Sequence, residues 1–112
     1  MVKPPFILDR GDIAWIDFSP TRGHEQSGLR PGVILSSRIY NNASGMVLAC
    51  PMTTKNKNYP FEIPVNGPKG RSFVLADQIR SIDIAERVKK CDGKVSDVEM
   101  SDILAKVAVL FQ

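Results

Sequence analysis

Only one stretch of this sequence repeats its apolar residues with the period of an α-helix, and it lies at the very end. Ser96-Asp97-Val98-Glu99 has the form of a capping box, in which serine and glutamate each satisfy an orphan amide at a helix start. Behind it, Met100, Ile103, Leu104, Val107, Leu110 and Phe111 fall on one helical face, a stripe suited to a core or a dimer surface. Everything ahead of that helix is cut into short apolar runs by Gly, Pro, Asn and Ser, and a chain cut this way must be mainly β. Residues 11–18 and 32–36 read as strands, and a third runs from Met46 through Cys50 towards Thr53. Residues 61–65 alternate, with Pro64 placing them at a sheet edge. Residues 72–79 form another strand, residues 88–91 a weak one, and residues 37–42 a short helix. This pattern predicts a small barrel or sandwich followed by a C-terminal helix.

A chain of 112 residues suits one domain, residues 1–112, and its 43% apolar content supplies a single core. Fifteen Lys and Arg against twelve Asp and Glu leave a net charge of +3. That balance permits an anionic partner and excludes a histone-like tail. Apolar runs such as residues 46–50 reach five residues, against the roughly 20 that span a bilayer. The first residues, with Pro4-Pro5, lack the form of a signal peptide, so a cytoplasmic location without membrane contact is expected. Cys50 and Cys91 stand 41 positions apart with no companion cysteine or nearby histidine. They read as free thiols, with a single disulfide the alternative, and neither a metal site nor a cofactor is expected.

The chemically dense segment joins the first two strands: Pro20-Thr21-Arg22-Gly23-His24-Glu25-Gln26-Ser27-Gly28-Leu29-Arg30-Pro31. It is long for a connection in so small a chain, and it holds the sole histidine, a carboxylate, an amide and two arginines. A solvated hairpin loop is the plainer account of it.

The segment also carries a resemblance. Arg10-Gly11-Asp12-Ile13 opening a strand, followed by Pro20-Thr21, Gly23, Glu25-Gln26, Gly28 and Arg30-Pro31, resembles the MazF/PemK family of toxin endoribonucleases. Further blocks follow in family order: Tyr40-Asn41-Asn42, Pro51-Met52-Thr53-Thr54, Tyr59-Pro60-Phe61-Glu62, and the stretch from Leu75 to Asp83. The resemblance implies a dimeric SH3-like barrel with a C-terminal helix. It implies metal-independent cleavage of single-stranded mRNA at short sequences, and neutralisation by a cognate antitoxin.

Metal-free cleavage of RNA needs a base for the 2′-hydroxyl, donors for a dianionic phosphorane, and an acid for the departing 5′-oxygen. Arg30 resembles the family's catalytic arginine, with a planar fork that holds phosphate bidentately. Thr53 resembles its catalytic threonine; a neutral hydroxyl is a poor base, so its part is a hydrogen bond to the phosphate. Glu25 resembles the loop's acidic residue and either accepts the 2′-hydroxyl proton or holds Arg30 or Arg22 in place. His24 matches the Kid/PemK branch, which pairs it with an arginine and an aspartate. Here Asp77 is present but the arginine position holds Leu75, so Glu25, Arg30 and Thr53 form the favoured set, with His24 and Asp77 as auxiliaries. Arg22 and Gln26 of the same loop are assigned to RNA binding. So are Lys55, Lys57 and Tyr59, where cations track phosphates and the ring stacks on a base, and Gln78, which reads a base edge. A soluble turn and a solvated basic face are the plainer accounts of the Lys55–Tyr59 segment and of Arg87, Lys89, Lys90 and Lys94.

Two alternatives belong to other classes. A gyrase-poisoning toxin of similar shape depends on a tryptophan at its C-terminal tip, whereas this chain ends Leu110-Phe111-Gln112 and carries its one tryptophan, Trp15, in the first strand. The second is a catalytically idle RNA-binding barrel.

Overall fold

The computed structural model describes residues 4–19 and 28–112. In chain order these form β1 (Asp12–Asp17), β2 (Leu29–Ile34), α1 (Arg38–Ser44), β3 (Met46–Thr53), β4 (Glu62–Gly67) and β5 (Gly70–Leu75). There follow β6 (Arg80–Asp83), a single turn α2 (Ile84–Arg87), β7 (Val88–Lys94) and α3 (Asp97–Val109). All pairings are antiparallel, in the order β4-β5-β3-β2-β1-β7, with β6 also on β3. The sheet curls into a half-barrel with the C-terminal helix packed against it, the mainly β architecture expected from the sequence.

β3 organises the sheet because both its edges are used. One edge pairs with β2 through Ala49, Cys50 and Pro51. The other takes β6 along residues 46–49 and β5 at Met52 and Thr53. Residues 72–79 are therefore not one strand. The chain turns after Leu75, where the Gln78 amide donates to the Leu75 carbonyl at 3.1 Å, and returns to the same edge of β3 as β6.

β2 begins at Leu29, three residues ahead of the expected start, and runs through Pro31. Proline fits because β2 pairs with β3 only from Gly32 onward; at Pro31 its one ladder partner is Trp15 of β1. Gly32 is required by close approach. A Cβ there would lie 2.9 Å from Phe18 Cζ and 3.0 Å from the Cys50 carbonyl oxygen. Pro64 lies on the outermost strand, β4, as its missing amide demands.

The apolar side chains gather in two clusters, not the single core expected. Ile13, Val33, Cys50, Met52 and Val74 face Met100 and Ile103 of α3, with Val107 packed alongside. Alternate residues Ala14, Ile16, Ile34 and Ala49 join Leu8, Phe18, Val47, Ile82 and Ile84. A sheet covered on both faces reads as continuous apolar runs, which is why these strands do not alternate cleanly in sequence. The 37–42 block becomes α1, capped by Ser37. Its buried Asn41 donates to the Leu8 carbonyl at 2.8 Å and the Ser36 carbonyl at 3.2 Å while accepting from the Ser36 hydroxyl. A residue of the Tyr-Asn-Asn block thus ties the N-terminal segment to α1. Cys50 is buried and Cys91 exposed, both as free thiols; burial, reinforced by the Asp77 charge, pushes Cys50 up to about 12. Among the described residues no helix is long and apolar enough to cross a membrane.

Candidate active site

Arg30 reaches the site as the second residue of β2, opposite Ile16 of β1. It is half-buried, and this desolvation lowers its pKa from the ordinary value, the direction that makes a guanidinium a less reluctant proton donor. Thr53 reaches it as the last residue of β3, opposite Phe73. Its buried Oγ1 accepts from the Lys55 amide at 3.2 Å, so the hydroxyl retains its proton for donation. The Thr53 hydroxyl thus serves local backbone and is still able to donate.

Between these strand ends and the tip of the β4–β5 hairpin lies a groove of about 300 Å³. Arg30, Thr53, Lys55 and Lys57 line it, four residues that the sequence singled out and the fold brings together. Trp15, Lys69 and Ser72 also line it, with Leu29, Pro31, Met52 and Thr54. Arg30, Lys55, Lys57 and Lys69 are its charged lining among the described residues, so its field favours phosphate over a divalent cation. No group of three or more His, Cys, Asp or Glu side chains gathers to hold a metal among the described residues.

The loop after β3 is shaped by polar contacts. The Lys57 amide donates to Glu62 Oε2 at 3.3 Å, and Asn58, with φ of 52°, donates its amide to Asn56 Oδ1 at 3.0 Å. Tyr59, Asp77 and Gln78 stand off the groove. The Tyr59 hydroxyl donates to the Asp77 carboxylate, a bond that raises the phenol's pKa, and its ring lies 6.0 Å from that of Phe61. Asp77 thus anchors the far end of the lysine-bearing loop. Its other oxygen is buried and has no hydrogen-bond partner.

Arg22, His24, Glu25 and Gln26 lie outside the described residues. The residues bracketing that segment are held together: the Phe18 amide donates to the Gly28 carbonyl, and the Gly28 amide to Ser19 Oγ, both at 3.0 Å. Arg87 Nη1 donates to the Asp17 carbonyl at 3.1 Å, and Arg80 Nη1 to that of Phe18. These bonds seat the stem of the segment one residue from β2 and two from Arg30.

Trp15 and Lys69 are among the groove residues that the sequence did not single out. Gly67-Pro68-Lys69-Gly70 carries an evident turn signal, but only the curl of the sheet brings that hairpin tip across to β1.

A family model for the PemK-like, MazF-like toxin of type II toxin-antitoxin systems matches residues 9–111. The chain belongs to the PemK/MazF toxin family. It is 45% identical over 105 residues to the endoribonuclease toxin MazF of Escherichia coli K12, covering 94% of this chain and 95% of that protein. It is 32% identical over 112 residues to the endoribonuclease toxin ChpB of the same organism, with the same two shares. The fold is similar to that of MazF (Form-I) from Deinococcus radiodurans, with a TM-score of 0.83, 33% identity, and 95% and 97% of the two chains covered. It is also similar to a chain of the MazE–MazF (Form-II) structure from that organism, at a TM-score of 0.78, 34% identity, and 95% and 96% coverage.

Proposed function

We propose that this MazF-like toxin endoribonuclease cuts single-stranded mRNA at short sequences without a metal ion. The 2′-oxygen attacks phosphorus, the bond to the 5′-oxygen breaks, and the products are a 2′,3′-cyclic phosphate and a 5′-hydroxyl. The observation that carries the reading is the meeting of Arg30 and Thr53 in one cation-lined groove of a PemK/MazF chain. Arg30 clamps the phosphorane as charge builds and stands nearest to the role of proton donor to the 5′-oxygen. Thr53 donates a hydrogen bond to a phosphate oxygen. Glu25 takes the 2′-hydroxyl proton or orients Arg30, and His24 and Asp77 are auxiliary. Lys55 and Lys57, with Arg22 and Gln26, follow the strand's phosphates, while Tyr59 and Gln78 meet bases next to the groove.

The enzyme works as a cytoplasmic homodimer, residues 1–112 forming its toxin domain, and a cognate antitoxin holds it in check. The MazE–MazF assembly of its structural neighbour supports that last part. The endoribonuclease relatives favour this reading over a gyrase poison or an idle barrel. Incubation with a long synthetic RNA, with and without EDTA, followed by end mapping, tests it. Cleavage at a short recurrent sequence, undiminished by chelator, is expected. Loss of activity in EDTA that magnesium restores overturns the mechanism.

A further inference from the structure

Trp15 lines the groove beside Arg30 and Thr53 and has no part in the chemistry above. It is half-buried in a strand whose apolar neighbours Ile13, Ala14 and Ile16 are all buried. Its indole is nevertheless held firmly, with Nε1 donating to Asp92 Oδ2 of β7 at 2.8 Å. Two cations attend the ring: Lys69 Nζ lies 5.1 Å from its centroid and Lys90 Nζ 5.9 Å. In the ladder Trp15 stands opposite Pro31, the residue after Arg30. An oriented aromatic ring flanked by cations, next to a phosphate-binding arginine, combines the two elements of single-strand recognition, a stacking surface and charge along the backbone.

We propose that Trp15 is the platform on which a base next to the scissile phosphate stacks. Asp92 orients the indole, and Lys69 meets the phosphate of the stacked nucleotide. The inference rests on the endoribonuclease reading and adds a binding residue to it. Because every base offers a π face, the contact supplies affinity and placement rather than sequence choice.

Trp15 is the chain's single tryptophan, so its emission reports the contact in the unaltered protein. The probe is a dye-labelled single-stranded RNA with 2′-O-methyl groups, which removes the nucleophile and leaves the strand intact. Tryptophan quenching that saturates together with the dye's anisotropy is expected. Trp15→Ala weakens binding about 5- to 150-fold, the range for loss of one stacked base, while Trp15→Phe keeps most of the affinity. With rising salt, Trp15→Ala retains the wild-type slope of log K against log salt, whereas Lys69→Ala flattens it by about 0.7. Melting curves check the folding of each variant. Binding with unquenched emission and an unchanged constant for Trp15→Ala overturns this inference and leaves the endoribonuclease reading standing. A wild-type chain that neither binds this strand nor cuts unmodified RNA overturns both.

Discussion

Arg30 owes its place to two neighbours in sequence and one in space. Pro31 holds Arg30 in extended backbone, and Gly32 lets β2 close onto the Cys50 carbonyl of β3. Thr53 then arrives from the far end of β3. In the proposed reaction the guanidinium meets charge that exists only in the transition state, so Arg30→Ala lowers the single-turnover rate about 10²–10³-fold. RNA affinity falls far less, since Lys55, Lys57 and Lys69 share the phosphates. Thr53→Val removes the proposed bond to the phosphate together with the acceptor of the Lys55 amide and costs about tenfold, whereas Thr53→Ser restores most of the rate because it keeps the hydroxyl. His24→Ala is milder than Arg30→Ala, given leucine at position 75. These rates are read by single-turnover cleavage of a short RNA, with melting curves alongside. A dead His24→Ala beside a near wild-type Arg30→Ala shifts the active site to the histidine branch of the family.

Among the elements, α3 shows how one sequence motif can do more than its local task. Glu99 Oε1 accepts from the Ser96 amide and Oε2 from the Asn66 amide of β4, both at 2.8 Å, while the Glu99 amide donates to Ser96 Oγ at 3.1 Å. The capping box therefore also ties the helix to the outer strand. Partial burial acts to raise the Glu99 pKa, but the amides of Ser96 and Asn66 outweigh it and hold the carboxyl below its ordinary 4.5. A carboxyl depressed in the folded state contributes stability that is present above its unfolded value and lost as pH falls through its folded value. Urea midpoints of the wild-type chain should therefore drop more steeply below about pH 4.5 than those of Glu99→Gln. Ser96→Ala should cost about 1 kcal/mol at neutral pH. Parallel pH profiles for wild type and Glu99→Gln would remove the charge from this account.

For the molecule as a whole, the same helix and the turn that follows it leave apolar surface outward. Met100 and Ile103 are buried, yet Leu104, Val109, Leu110 and Phe111 are exposed, Phe111 at 80%. A second copy related by a two-fold axis is the commonest way to cover such a face. Sedimentation equilibrium at micromolar concentration should give about twice 12.4 kDa, and Phe111→Glu should move the population towards monomer. A monomer mass for the wild-type chain would count against the dimer.

The sequence alone determined what depends on neighbours along the chain. The capping box and helical stripe placed α3, Pro64 marked an edge strand, and residues 37–42 located α1. Arg30 and Thr53 were singled out by the resemblance of their blocks to the family, and the fold brings both to one groove. What escaped was everything set by pairing across the sheet. Residues 72–79 look like one strand until β3 takes their two halves at different heights along one edge. β7 was underestimated because Lys89, Lys90, Cys91 and Lys94 are exposed and leave no apolar trace. Lys69 and Trp15 are 54 positions apart, and only the curl of the half-barrel brings the hairpin tip to the indole. Local propensity is a property of a few consecutive residues; a groove is a property of how distant strands twist and close.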